Sequence, residues 1–163
     1  MISTDSAGVP LSDIDAVIIN VNPVNDPPVN NVPGPLMIDE DTTININNIT
    51  VDDVDGDLAR TTLSVLNGGV FVTLSGGATI SSGLNGGPSL TISGTQTDIN
   101  NTLASLLYQA TPNFNGADVL SVVSEDANGS SDTDTVAITI NSVDDAPINA
   151  TPNELVTPEG QPL

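Results

Sequence analysis

The chain has 163 residues and a formal net charge of −20, from 21 Asp and Glu against a single basic residue, Arg60. With no His, Cys, Lys or Trp, it lacks the parts for a Ser-His-Asp triad, a thiol nucleophile, an ordinary zinc site, a Schiff-base lysine or a P-loop. Missing cations and 2% aromatics argue against nucleic-acid binding, and acidic membrane surfaces would repel the chain.

In chain order, the pattern is almost entirely that of short strands. Residues 12–22 read as a strand, followed by a Pro-rich connector, Val21 to Pro28, expected to be stiff and extended. Strands are then expected at 35–38 and at 43–51, where the alternation Ile44, Ile46 slips to Ile49, Val51. The next is 60–67, with Leu63 and Val65 on one face, and Asn67-Gly68-Gly69 reads as a hairpin turn into 70–74, with 78–81 as a continuation. Leu90 and Ile92 mark a strand at 89–93. Ile99, Leu103, Leu106 and Leu107 have helical spacing, with Thr97 as the expected N-cap and Asp98 in the first turn, so one short helix is expected here. Strands at 118–124 and 133–142 complete the set. About seven strands in a unit of this size suggest an all-β, immunoglobulin-like sandwich, with the helix between the fifth and sixth strands and small aliphatic side chains in the core. No apolar run is long enough to span a membrane, and the first residues do not read as a signal peptide.

A repeat organises the chain. Residues 12–30 (SDIDAVIINVNPVNDPPVN) align without a gap to 131–149 (SDTDTVAITINSVDDAPIN), with identities from Ser12/Ser131 to Asn30/Asn149. Beyond them, Pro33/Pro152, Leu36/Leu155 and Glu40/Glu159 match at the same offset. The expected division is therefore the end of a preceding repeat at 1–25, a complete repeat at 26–147 and the start of a following one at 148–163.

The acids follow the strand ends. None occurs from Leu58 to Thr97; elsewhere they cluster at Asp39-Glu40-Asp41, at Asp52, Asp53, Asp55 and Asp57, at Glu125-Asp126 with Asp132 and Asp134, and in the two connectors. Counting strand directions gathers Asn25, Asp26, Asp53, Asp55, Asp57, Asp126 and Asp132 at one end of the sandwich. It puts Glu40, Asp144 and Asp145 at the other. Carboxylates packed without Lys or Arg repel one another, and a bound cation relieves this. All-oxygen donors suit Ca²⁺, which takes 6–8 oxygens in flexible geometry. The plainer alternatives are solvated acidic turns or salt adaptation; salt adaptation predicts acids on every face, which the acid-free 58–97 stretch contradicts. Asp53-Val54-Asp55-Gly56-Asp57 opens like a calcium loop but is no EF-hand, since its sixth position would be Leu58.

Together, Leu90 to Thr95, Asp98-Ile99-Asn100, Leu107-Tyr108, Thr111 to Gly116, Asp132 to Ile140 and Val143-Asp144-Asp145-Ala146-Pro147 resemble the cadherin-like tandem repeats of giant bacterial surface adhesins, often exported by type I secretion. The resemblance implies an extracellular, calcium-rigidified spacer repeat at the bacterial surface, serving adhesion or biofilm formation. Its partners would be neighbouring repeats, with any cell-surface or matrix ligand held through other domains. Asn25-Asp26-Pro27-Pro28 and Asp144-Asp145-Ala146-Pro147 would match the cadherin connector, Asp53 and Asp55 the paired acids, and Glu40 the early glutamate. The cadherin Asp-Arg-Glu motif is missing. The alternative function is a module that binds carbohydrate or protein on its own surface; the lack of an aromatic platform favours the spacer. Catalysis is not expected.

Overall fold

The computed structural model describes residues 2–4, 10–12, 15–147 and 159–160. Two short strands, β1 (Ile2–Thr4) and β2 (Pro10–Ser12), pair antiparallel. The following elements are β3 (Val29–Asn31), β4 (Leu36–Asp39), β5 (Thr43–Asn45), β6 (Thr50–Asp52), β7 (Leu58–Ser64), β8 (Gly68–Phe71), β9 (Thr79–Gly83) and β10 (Ser89–Ser93). A helix, α1 (Gln96–Leu103), then leads to β11 (Leu107–Ala110), β12 (Gly116–Asp126) and β13 (Ser131–Asn141). A six-stranded sheet in the order β4-β13-β12-β7-β10-β9 and a three-stranded sheet, β5-β11-β8, enclose the core, and β3 pairs with β6. The all-β sandwich with one helix is therefore as the alternation indicates, but with more strands than seven.

Period-two patterning accounts for the core. On β12 from Asp118 onward and on β13 from Val136 to Ile140 every second residue is buried, including Leu120, Val122, Val136, Ile138 and Ile140. They join Leu63, Leu90 and Ile92 from the same sheet and Val70 and Tyr108 from the facing one in one hydrophobic cluster. Each large aliphatic side chain buried this way contributes roughly 1.5–3 kcal/mol.

Several local expectations are corrected. The 43–51 strand is two, because the slip between buried Ile46 and Ile49 is a break: Asn48 has φ +65°, and the two pieces pair with different partners, β11 and β3. Residues 65–67 do not form a hairpin: β7 and β8 belong to different sheets, so the chain arches across the core. Asp118, at the start of β12, shapes that arch. It is buried and accepts hydrogen bonds from the backbone N–H groups of Leu66 (3.0 Å) and Asn67 (2.9 Å) and from the Tyr108 hydroxyl (2.9 Å). Thr95 caps the helix in place of Thr97, its Oγ1 accepting from the Asp98 N–H at 3.2 Å. Leu106 and Leu107 fall beyond the helix, in a turn and at the start of β11, so β11 intervenes between the helix and β12.

Residues 15–28 have no regular structure, so the part of the expected 12–22 strand within 15–22 is not a strand here. The expected repeat start at 148–163 lies outside the described residues, apart from a turn at 159–160.

Candidate metal centre

One pole of the sandwich is made by the end of β12, the loop between β6 and β7, and the connector. In the loop, the Asp53 carbonyl and its Oδ1 both accept from the Gly56 N–H at 3.1 Å, and Oδ1 also accepts from the Asp55 N–H at 3.1 Å. Gly56 has φ +73°, a conformation open to glycine at little cost. The turn is tied to α1: Gln96 Oε1 accepts from the Asp53 N–H, and Gln96 Nε2 donates to Asp52. Asp126 ends β12 after a bulge in its pairing with β7 and is buried. Its Oδ1 accepts from the Asn128 and Ser130 N–H groups, both at 2.8 Å.

These elements converge three carboxylates. Oxygens of Asp53, Asp57 and Asp126 all lie within 4.8 Å of one another. Asp53 is only 5% exposed, and its Oδ2 has no hydrogen-bond partner; neither has the buried Oδ1 of Asp57. Two orphaned carboxylate oxygens in a cluster of like charges are costly in a low-dielectric setting. No base compensates, since Arg60 pairs with Glu125. Desolvation, and then the charges of Asp53, Asp126 and Asp55, push the Asp57 carboxyl above its ordinary range. Asp126 is held below its own, chiefly by the Asn25 amide and then, against desolvation, by backbone N–H groups at 128–130.

The connector closes the site. Asn25 Nδ2 donates to Asp126 Oδ2 (2.7 Å) and to Ser130 Oγ (3.0 Å), while Asn128 Nδ2 donates to Asp57 Oδ2 (2.7 Å) and to the Asn25 amide oxygen. The Asp26 N–H donates to Asp55 Oδ2 at 2.7 Å. A cleft of about 380 Å³ lined by Pro23, Val24, Asn25, Asp55, Asp57 and Asn128 opens beside the cluster.

Of the residues expected at this pole, Asn25, Asp26, Asp53, Asp55, Asp57 and Asp126 are brought together. Asp55 turns its carboxylate to the connector backbone, and Asp132 clamps β3, its Oδ2 accepting from the Asn30 N–H at 2.7 Å. Glu40 is at the opposite pole, where Oε1 accepts from the Val143 N–H at 2.7 Å, beside exposed Asp144 and Asp145. Asn128 was not among the residues expected at this pole, because it serves equally well as an ordinary turn residue. Asp118 was missed altogether, being isolated in sequence from its partners.

The family model of the Protein GAMETE EXPRESSED 2 domain matches residues 40–135. The chain belongs to this family. The match contains Asp53, Asp57, Asp126 and Asn128 and leaves out both connectors. It corrects the resemblance to bacterial adhesin repeats, and with it the reading of the chain as a bacterial adhesion spacer and its placement at a bacterial surface. The alternative of a carbohydrate- or protein-binding module gains no support either. The physical reason is that the motifs behind the resemblance are those of the architecture: acids at strand ends, a proline connector and alternating small aliphatics suit any sandwich with polar poles. No curated protein matches the chain. Among the described residues no helix is long and apolar enough to cross a membrane.

Proposed function

We propose that this domain binds a divalent cation, Ca²⁺ by its donor chemistry, at Asp53, Asp57 and Asp126, and that the ion fastens the connector to the sandwich. The observation that carries the reading is the pair of buried, unpartnered oxygens, Asp53 Oδ2 and Asp57 Oδ1, within a three-carboxylate cluster. Oxygen donors alone favour Ca²⁺ over softer metals, and a loop-built, partly open site suits its flexible coordination better than the strict octahedron of Mg²⁺. The amides of Asn25 and Asn128 now donate to carboxylates; rotated, each presents its oxygen to an ion. The role is structural rather than catalytic. The domain works outside the cell, where free calcium is high enough for a modest-affinity site.

Thermal unfolding of the full chain with Ca²⁺ and with a chelator tests this. Saturation near 100 times Kd adds about 2.7 kcal/mol, a rise in Tm of roughly 5–15 °C. Asp53→Asn removes the rise. An unchanged midpoint in the native chain refutes the reading.

A further inference from the structure

The segment 15–22 carries the sequence of a buried strand but is not buried. At the offset of the repeat, Asp15, Val17, Ile19 and Asn22 are identical to Asp134, Val136, Ile138 and Asn141. In β13, Val136, Ile138 and Ile140 are 1–3% exposed, seated against the core with β12 on one side. Their counterparts Val17, Ile19 and Val21 are 84%, 80% and 85% exposed. The alternation that buries β13 is thus present at 15–22, on side chains that no part of this sandwich covers. The preceding dipeptide matches too: Ser12-Asp13 corresponds to Ser131-Asp132, the start of β13 after its hairpin.

We propose that residues 15–22 are a donor strand, which supplies the last strand of a second sandwich of the same kind. They would pair there with the equivalent of β12, in the register β13 uses here: Val17 opposite the Leu120 position and Ile19 opposite the Asp118 position. The partner is thereby defined by chemistry: an antiparallel sheet with its last-strand place vacant and an inward row of aliphatic side chains beside it. Only Pro23 and Val24 separate Asn22 from Asn25 and Asp26 of the acidic pole, so the donated strand would bring the second sandwich to that pole. The inference rests on the repeat and on exposure, not on cation binding.

The test is a chimaera of the full chain in which residues 131–141 are replaced by the sequence of residues 12–22, so that the donor must act as last strand. Cooperative unfolding within roughly 10 °C of the parent, lost when the grafted counterpart of Ile19 is changed to Asp, supports the proposal. A folded chimaera indifferent to that change overturns it. Should the chimaera not fold, a synthetic peptide of residues 12–22 is added to the full chain carrying Ile138→Asp, which weakens its own last strand. A raised midpoint with this peptide but not with a scrambled one supports donation, and no response to either overturns it. All arms are run in chelator, so failure of the cation reading leaves the result intact.

Discussion

Asp118 and Asp57 are both acids in a β-sandwich, and their surroundings give them opposite tasks. The Asp118 carboxylate is satisfied by the N–H groups of Leu66, Asn67 and Val119 and by the Tyr108 hydroxyl. Burial and then the neighbouring carboxylate raise the Tyr108 hydroxyl above its ordinary range, so it stays protonated as a donor. Asp118→Ala strands buried donors and is expected to cost about 3–4 kcal/mol in urea unfolding, against about 1 kcal/mol for Tyr108→Phe. Asp57 instead carries an orphaned oxygen and repels its neighbours. With its folded-state proton affinity raised, the folded chain binds more protons than the unfolded one just above the ordinary carboxylate range, so Asp57 lowers stability as pH rises through that window. Asp126, with its proton affinity lowered, contributes stability present above its unfolded value and lost as pH falls. Asp57→Asn is therefore expected to be more stable than the parent in chelator at neutral pH and less stable in saturating Ca²⁺, which paired melting curves read directly. In the parent, Ca²⁺ affinity should weaken on acidification already above the ordinary carboxylate range, where Asp57 takes up its proton; titrations at stepped pH show where it begins.

At the scale of elements, β12 connects the two ends of the molecule. Its inward side runs Asp118, Leu120, Val122, Ser124, Asp126: apolar in the middle and acidic at both ends. One Asp supports the arch from β7 to β8 and the other the acidic pole, roughly 27 Å apart along the strand. The burial alternation was legible in the sequence, but the difference between the two acids was not. Asp118 meets donors from residues 66, 67 and 108, which no local pattern announces. The Asn67-Gly68-Gly69 turn misled for a related reason: local turn chemistry is the same whether the chain returns within one sheet or crosses to another. The 53–57 loop is the element most open to test. Gly56 has free space around its Cα, so Gly56→Ala acts through its positive φ alone, at about 1–2 kcal/mol. The strain displaces the Asp53 turn and should weaken Ca²⁺ binding in calorimetry at least tenfold.

For the whole molecule, a strand count that was too low still placed the acids at the correct ends. The expected set omitted β11 and merged β9 into its neighbour. Two missing reversals leave the direction of every later strand unchanged, so Asp126 came out beside Asp53 and Asp57 even though the direction of 89–93 was inverted. The connector is the element whose behaviour depends on the assembled pole, because Asn25 and Asp26 are held by residues from two distant loops. Amide exchange at residues 24–26 is expected to slow at least tenfold on adding Ca²⁺, with little change at Val122 in the core. Equal protection with and without the ion would uncouple connector and site.

The sequence by itself determined the class of the molecule: a sandwich of small aliphatic residues, acids clustered near strand ends, and a segment before the first connector whose sequence repeats that of β13. These are short-range properties, carried by period, turn residues and spacing. The tertiary structure alone decided which oxygens are free. Asp55 and Asp132 spend their carboxylates on backbone donors, Asp118 is satisfied on all sides, and Asp53 and Asp57 each keep one buried oxygen without a partner. That distinction depends on hydrogen bonds between residues as far apart as Asn25 and Asp126, and so arises only when the chain has closed.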